Sequence, residues 1–295
     1  MPATGVRVAR LQHVRLCSAQ AERLTDFYES ALGFRRVAVE HLSGARARER
    51  FGVAGRTLRI TLQLGAQRVK LLQYTDQPGR AYPVHARASD LSFQHFAIVV
   101  ADMPAAMAQL GRAAGWTSIT TGGPQSLPAS SGGVTAFKFR DPEGHPLELL
   151  QFPADHMPAR WEHVQAHGPF LGIDHSAISV ADSARSMAFY QSLGLAICHR
   201  SVNDDPAQAR LDALDHARVE VTAMDVGPAP PHLELLCYRD RGEGKPVQLR
   251  PNDVAATCLV FEADEGSRPQ HDHRMTIRDL VDPDGHRLAI VRPSA

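Results

Sequence analysis

Two segments of the chain carry the same order of apolar and polar positions. Residues 11–34, LQHVRLCSAQAERLTDFYESALGF, and residues 173–195, IDHSAISVADSARSMAFYQSLGL, each open on an alternating run, pass a polar turn and continue as a helix to a Leu-Gly stop. Alternation with period two marks a strand with one buried face, and the helical spacing and stop signal that follow mark an amphipathic helix. His13 and Tyr28 stand 15 residues apart, as do His175 and Tyr190. A third copy opens at FQHFAIVVADMPAAMAQLGRAAGW (93–116), with His95 at the same place on its strand. More alternating runs follow each helix and end in related strands, VKLLQY (69–74), LELLQF (147–152) and LELLCY (233–238). The pattern predicts a repeated β-α-β-β-β unit.

A fourth, weaker copy runs from NDVAATCLVFEAD (252–264) to DPDGHRLAIV (282–291), which matches DPEGHPLELL (141–150). Both DPxG sequences fit a type I turn with Asp first, Pro second and Gly fourth, feeding a closing hairpin strand. This copy is short: 33 residues separate Ala256 from Ala289, against 53 between His95 and Glu148 and 59 between His175 and Glu234. EGSRPQHDHR (265–274) lacks apolar periodicity, so a full crossover helix between Asp264 and Met275 is not expected. Polar, proline-containing connectors lie at 75–90, 153–169 and 239–253. The expected division is an N-terminal domain over 8–152 (units 8–75 and 91–152), a linker over 153–170, and a C-terminal domain over 171–295 (units 171–238 and 252–292). One unit alone cannot bury both faces of its sheet, so units must pair around a shared concavity.

Composition narrows the partner. A length of 295 residues suits about two domains, and 43% hydrophobic with 22% charged residues is ordinary globular usage, which sets aside disorder and coiled coil. Lys+Arg and Asp+Glu both number 32 and no segment concentrates the basic ones, so neither a nucleic acid nor a membrane surface is expected as partner. A small molecule is. Cys17, Cys198, Cys237 and Cys258 are dispersed with no C-x-x-C pair, as in a reducing compartment, and the cytoplasm is the expected location. Arginines break every apolar run of MPATGVRVARLQHVRL, so no signal-peptide core is expected there. Fifteen histidines stand out; histidine is the commonest metal ligand among side chains.

Tandem β-α-β-β-β units that open on a strand histidine and close on x-E-L after a DPxG turn resemble the vicinal oxygen chelate superfamily, which includes glyoxalase I, extradiol dioxygenases and bleomycin and fosfomycin resistance proteins. The resemblance covers about the whole chain. It implies an α+β fold of four βαβββ units paired into two half-barrel cavities, the fourth unit degenerate. It also implies metal ligands on the first and last strand of each unit. Those positions hold His13, His95, His175 and, in the fourth unit, Ala256 or its neighbours Thr257 and Cys258; the last strands give Lys70, Glu148, Glu234 and Ala289. Imidazoles with carboxylates suit a divalent Fe, Ni, Mn or Zn ion and leave positions open for a substrate with two adjacent oxygens.

Which units pair decides the site. First with second would give His13, His95 and Glu148, with Lys70 in the fourth place. Second with third, as in fused glyoxalases of this superfamily, gathers His95, Glu148, His175 and Glu234 in one cavity, and this is the expected arrangement. A Lys70 ammonium beside a divalent cation would repel it, which favours the same choice. Three function classes stay open: a glyoxalase-like lyase or isomerase with Glu234 or Glu148 as catalytic base, an Fe(II) extradiol-type dioxygenase, and a non-catalytic small-molecule binding or resistance protein. Against the dioxygenase, the extradiol pattern's tyrosine ten residues before its ligand Glu is here Lys138. Phe27, Tyr28, Phe189 and Tyr190 are expected in the helix core, His145 and His286 in their hairpins, and His271 and His273 in solvent. A monomer or a homodimer is compatible with two cavities per chain.

Overall fold

A computed structural model of the chain describes residues 6–164, 168–239, 248–264, 266 and 276–292. The first unit consists of β1 (Val8–Cys17), α1 (Ala21–Leu32), β2 (Arg35–Leu42), α2 (Gly44–Phe51), β3 (Thr57–Leu64) and β4 (Gln67–Tyr74). The second has β5 (Phe93–Val100), α3 (Met103–Leu110), the two-residue strands β6 (Thr117–Ser118) and β7 (Gln125–Ser126), β8 (Thr135–Arg140) and β9 (Pro146–Gln151). After α4 (Ala159–Glu162) in the linker, the third unit repeats the first: β10 (Phe170–Ser179), α5 (Ser183–Ser192), β11 (Ala196–Asn203), α6 (Pro206–Leu211), β12 (Val219–Asp225) and β13 (His232–Tyr238). The fourth contributes β14 (Cys258–Ala263), β15 (Thr276–Val281) and β16 (Arg287–Val291). Residues 265 and 267–275, where no full crossover helix is expected, and with them His271 and His273, lie outside the described residues. The short helices α2 and α6 add to the βαβββ pattern; each is a turn or two long, too brief for helical periodicity to register.

The strands form two sheets. One runs β15-β16-β14-β1-β4-β3-β2, joining the first unit to the fourth; the other runs β11-β12-β13-β10-β5-β9-β8-β6, joining the second to the third. Each joint is an antiparallel pair of opening strands, β1 with β14 and β5 with β10, while inside each unit the opening and closing strands run parallel. Alternation then assigns the faces. Val14, Leu16, Ile60, Leu62 and Leu71 of one sheet and Phe96, Ile98, Ile178, Leu233 and Leu235 of the other share one core with Tyr28 of α1 and Tyr190 of α5. His13, Arg15 and Cys17, and likewise His95 and His175, alternate with these core residues and face the concave sides. Among the described residues no helix is long and apolar enough to cross a membrane.

The two DPxG turns tie the units together across this core. Gly144 N–H donates to the Asp141 carbonyl at 2.9 Å and Gly285 N–H to that of Asp282 at 3.1 Å, as in a type I turn. Gly144 holds φ at +97°, and a Cβ there would stand 2.8 Å from that of Tyr82. Glu143 inside the turn accepts from the Ala19 and Gln20 N–H groups at 2.9 and 2.8 Å, capping the N-terminus of α1 in the neighbouring unit. The fourth unit repeats this: Asp284 accepts from Ala181 N–H at 3.1 Å at the start of α5. Tyr28 and Tyr190 donate to Asp141 and Asp282, each at 3.1 Å. The rings of His145 and His286 also reach out of their hairpins, to the carbonyls of Cys17 at 2.9 Å and Ser179 at 2.8 Å.

Candidate metal centre

The central strands of the second sheet carry the site. Across β5 and β10, His95 lies opposite Ala177 and Ala97 opposite His175, so the imidazoles sit two positions apart on neighbouring strands of the same face. The parallel partners bring Glu148 level with Ala97 and Glu234 level with Ala177. The small residues between leave the space the long side chains fill. His95 Nε2 faces His175 Nε2 at 3.0 Å and Glu148 Oε2 at 3.4 Å. One donor atom from each of His95, Glu148 and His175 lies within 4.8 Å of the other two. Glu234 stands beside this trio: its Oε2 is 3.5 Å from His175 Nε2 and its Oε1 3.4 Å from His232 Nε2. His13 and Lys70 lie in the other sheet.

The tautomers follow from the neighbours. His95 Nδ1 meets Gln94 Oε1, and His175 Nδ1 lies 3.2 Å from Asp174 Oδ2. Both partners accept, so each Nδ1 keeps its hydrogen and each Nε2 lone pair points at the other. Two bare lone pairs at 3.0 Å repel unless a proton or a cation lies between them. Burial disfavours a charged His175, but Glu234, Asp174 and Glu148 outweigh it and push the ring up to about 9. His95 moves the other way, held well below its usual range by burial and by Lys138 and His175. Burial raises Glu148. Glu234 is half-buried; desolvation would raise it, yet His175 and His232 hold it below the usual carboxylate range.

A divalent ion fits this donor set. Ligands about 2.0 to 2.2 Å from one centre lie roughly 3 to 4 Å from each other; His95 stands at such distances from both His175 and Glu148, and the third pair stays within 4.8 Å. Two imidazoles and a carboxylate suit Fe, Ni, Mn or Zn. Asp174, His175 and His232 form a second close group, but on the Nδ1 side of His175, where Asp174 already serves as the ring's acceptor.

Several residues that shape the site carry no repeat signal. Asp212, just past α6, accepts from Lys138 Nζ at 2.7 Å, Gln208 Nε2 at 2.7 Å and Tyr238 OH at 3.0 Å. The Lys138 ammonium is thereby neutralised although it lies 3.6 Å from Glu148 Oε2. From the linker, Arg160 and the Trp161 indole donate to Asp174 Oδ1 at 2.8 and 2.9 Å. With His175, His232 and Arg160 around it, Asp174 stays ionised despite burial. One signal was present in the sequence: each strand histidine follows an acceptor, Gln12, Gln94 or Asp174. Above the site opens a cavity of about 380 Å³, with apolar walls from Leu127, Val134, Leu150 and Val221 and polar groups from His199 and Asn203. That is the size of a small-molecule pocket.

Residues 10–149 match the family model of the Glyoxalase/Bleomycin resistance protein/Dioxygenase superfamily. Among solved structures, glyoxalase I from Zea mays is similar at 16% identity, with a TM-score of 0.61 over 96% of this chain and 92% of that one. A putative dioxygenase from Bacillus subtilis is similar at 11% identity, with a TM-score of 0.58 over 98% and 87%. Likeness at these identities concerns the fold. No curated protein matches the chain.

Proposed function

From the match of residues 10–149 to the Glyoxalase/Bleomycin resistance protein/Dioxygenase superfamily, we propose that the chain is a metal-dependent enzyme acting on a small substrate with vicinal oxygens, as a glyoxalase-like lyase or isomerase. One observation carries the reading: the His95 and His175 Nε2 atoms face each other at 3.0 Å, their tautomers fixed from behind, beside Glu148. His95, His175 and Glu148 would hold the ion. When bound, it would act as a Lewis acid toward two adjacent substrate oxygens.

The remaining work belongs to the protein. Glu234 is the base in this reading. It lies outside the close trio, it is held ionised, and its side chain is 19% exposed to the cavity side against 7% for Glu148. A Glu234 oxygen would take the proton from the carbon next to the carbonyl and return it to the neighbouring carbon. His232 orients that carboxylate by its contact with Oε1. Lys138 does not favour ring cleavage: its ammonium is taken up by Asp212 and Glu148 and is not free to act as a phenol would.

The test is metal analysis, followed by two assays on the loaded protein. Exchange of the substrate's α-proton in D₂O, without oxygen uptake, is the expected result with α-oxoaldehyde adducts or α-hydroxycarbonyls. Oxygen consumption with catechols would replace the reading by the dioxygenase. Full folding with no metal in any preparation and small-molecule binding alone would replace it by the binder.

A further inference from the structure

The second concave face repeats the metal centre position by position, with the charge reversed. Register places Lys70 beside Arg15, Arg15 opposite Cys258, and Cys258 beside Arg287, in one row across β4, β1, β14 and β16. The equivalent row of the other sheet reads Glu148, Ala97, His175 and His232 across β9, β5, β10 and β13. The Glu234 position is Ala289, level with Val260. Of the ligand types only His13 survives. Carboxylate, alanine and two imidazoles have become lysine, arginine, thiol and arginine.

These cations lack the partners that cations in a fold usually find. Among the described residues no ion pair reaches Arg15, Lys70 or Arg287, whereas the nearby Arg59 is paired with Glu40. The Arg15 guanidinium lies 5.4 Å from the Phe51 ring centroid, a cation–π contact and not an ion pair. A cavity of about 120 Å³ opens between Arg15, Cys258 and Arg287, with Asp279, exposed on β15, as the acid at its rim. The local potential is positive: burial and the neighbouring Arg59 and Arg50 depress Lys70 to about 8, and burial with Lys70 and Arg15 keeps His13 well below its usual range. Planar guanidinium forks are suited to bidentate contact with oxyanions.

We propose that this face binds a small, multiply charged oxyanion, a phosphate or a dicarboxylate, between Arg15 and Arg287 with Lys70 flanking. The row spacing of about 4.8 Å per strand sets the two arginines two strands apart, a span that one tetrahedral or dicarboxylate anion bridges through two forks. The site is separate from the metal centre and needs no metal.

Calorimetric titration of the metal-loaded full chain with inorganic phosphate and, separately, with malonate tests this. One anion per chain is expected with a dissociation constant tighter than about 1 mM for at least one probe. The tighter probe identifies the headgroup. Arg15→Gln and Arg287→Gln should each weaken binding by about tenfold or more, which is the loss of one charge-assisted pair. Glu148→Gln should leave it unchanged. If an arginine variant does not fold, Lys70→Met removes a cation without creating a cavity and should weaken binding severalfold. No saturable binding of either probe, binding that survives Arg15→Gln, or loss in Glu148→Gln would each overturn the proposal; the last would put the anion in the metal cavity.

Discussion

Glu234, Asp174 and Glu148 outweigh the cost of burying the charged His175 ring and push it up to about 9, so a divalent ion taken up at neutral pH should displace a proton from it. Metal affinity should therefore rise about tenfold per pH unit from neutrality toward pH 9 and level off above it, with one proton released per ion. Titration in two buffers of different ionisation enthalpy measures that proton. Glu148→Gln should lower metal affinity by more than about tenfold, since loss of an outer-shell partner alone costs that much. Glu234→Gln should keep the metal and lose about a hundredfold or more in proton exchange. Metal content and turnover, measured together, distinguish ligand from base. That His95, Glu148, His175 and Glu234 would lie close together was legible in the sequence, because repeated units put them in repeated places. Asp212 was not, since its role arises from contacts between elements far apart in the chain, and His232, two places before Glu234 on β13, has no histidine counterpart in the other units. Asp174 was half legible, as an acceptor next to a histidine.

At the scale of elements, the DPxG turns were legible as turns, but not as caps. A turn is written in four adjacent residues; the helix end it caps lies more than a hundred residues away. Glu143→Ala should remove two backbone acceptor contacts at the start of α1 and lower stability by about 1 kcal/mol, measured by denaturant unfolding. His145 adds a pH dependence. Burial opposes its charged form, but Asp141 and Glu143 raise it above the ordinary value. Its Nδ1 lies 2.8 Å from Asp141 Oδ2 and its Nε2 2.9 Å from the Cys17 carbonyl, two acceptors that suit a doubly protonated ring. A raised folded value means that this stabilisation is fully present below about pH 6.5 and is lost as pH rises through the folded value. His145→Gln should cost about 1 to 3 kcal/mol at pH 6 and flatten the decline seen in the parent above that pH. The helices α1 and α5 were legible from spacing and stop signals; α2 and α6 were not.

For the whole molecule, the pairing of units governs what a fragment can do. The first and second units meet through helix caps and a shared core, but each contributes half of a different sheet. A fragment of residues 8–152 would expose β1 and β5 as long open edges with apolar faces. It should be dimeric or insoluble alone, and co-expression with residues 171–295 should restore a one-to-one soluble complex in size-exclusion chromatography. A soluble monomeric fragment would show that each half closes by itself. The pairing of second with third unit was legible only through chemistry, in the four ligand positions; apolar periodicity is the same for either pairing.

Among the described residues, the linker meets the centre where Arg160 and Trp161 grip Asp174 and thereby fix the histidine behind which it sits. A peptide bond cut between β9 and α4 would break no strand pairing, and the two sheets would keep their order. Arg160 also lines the mouth of the large cavity. The nicked protein would thus keep its shape and melt much as before, while the ion exchanged faster and the substrate entrance lost its doorpost: the tether that joins the halves is also part of the chemistry.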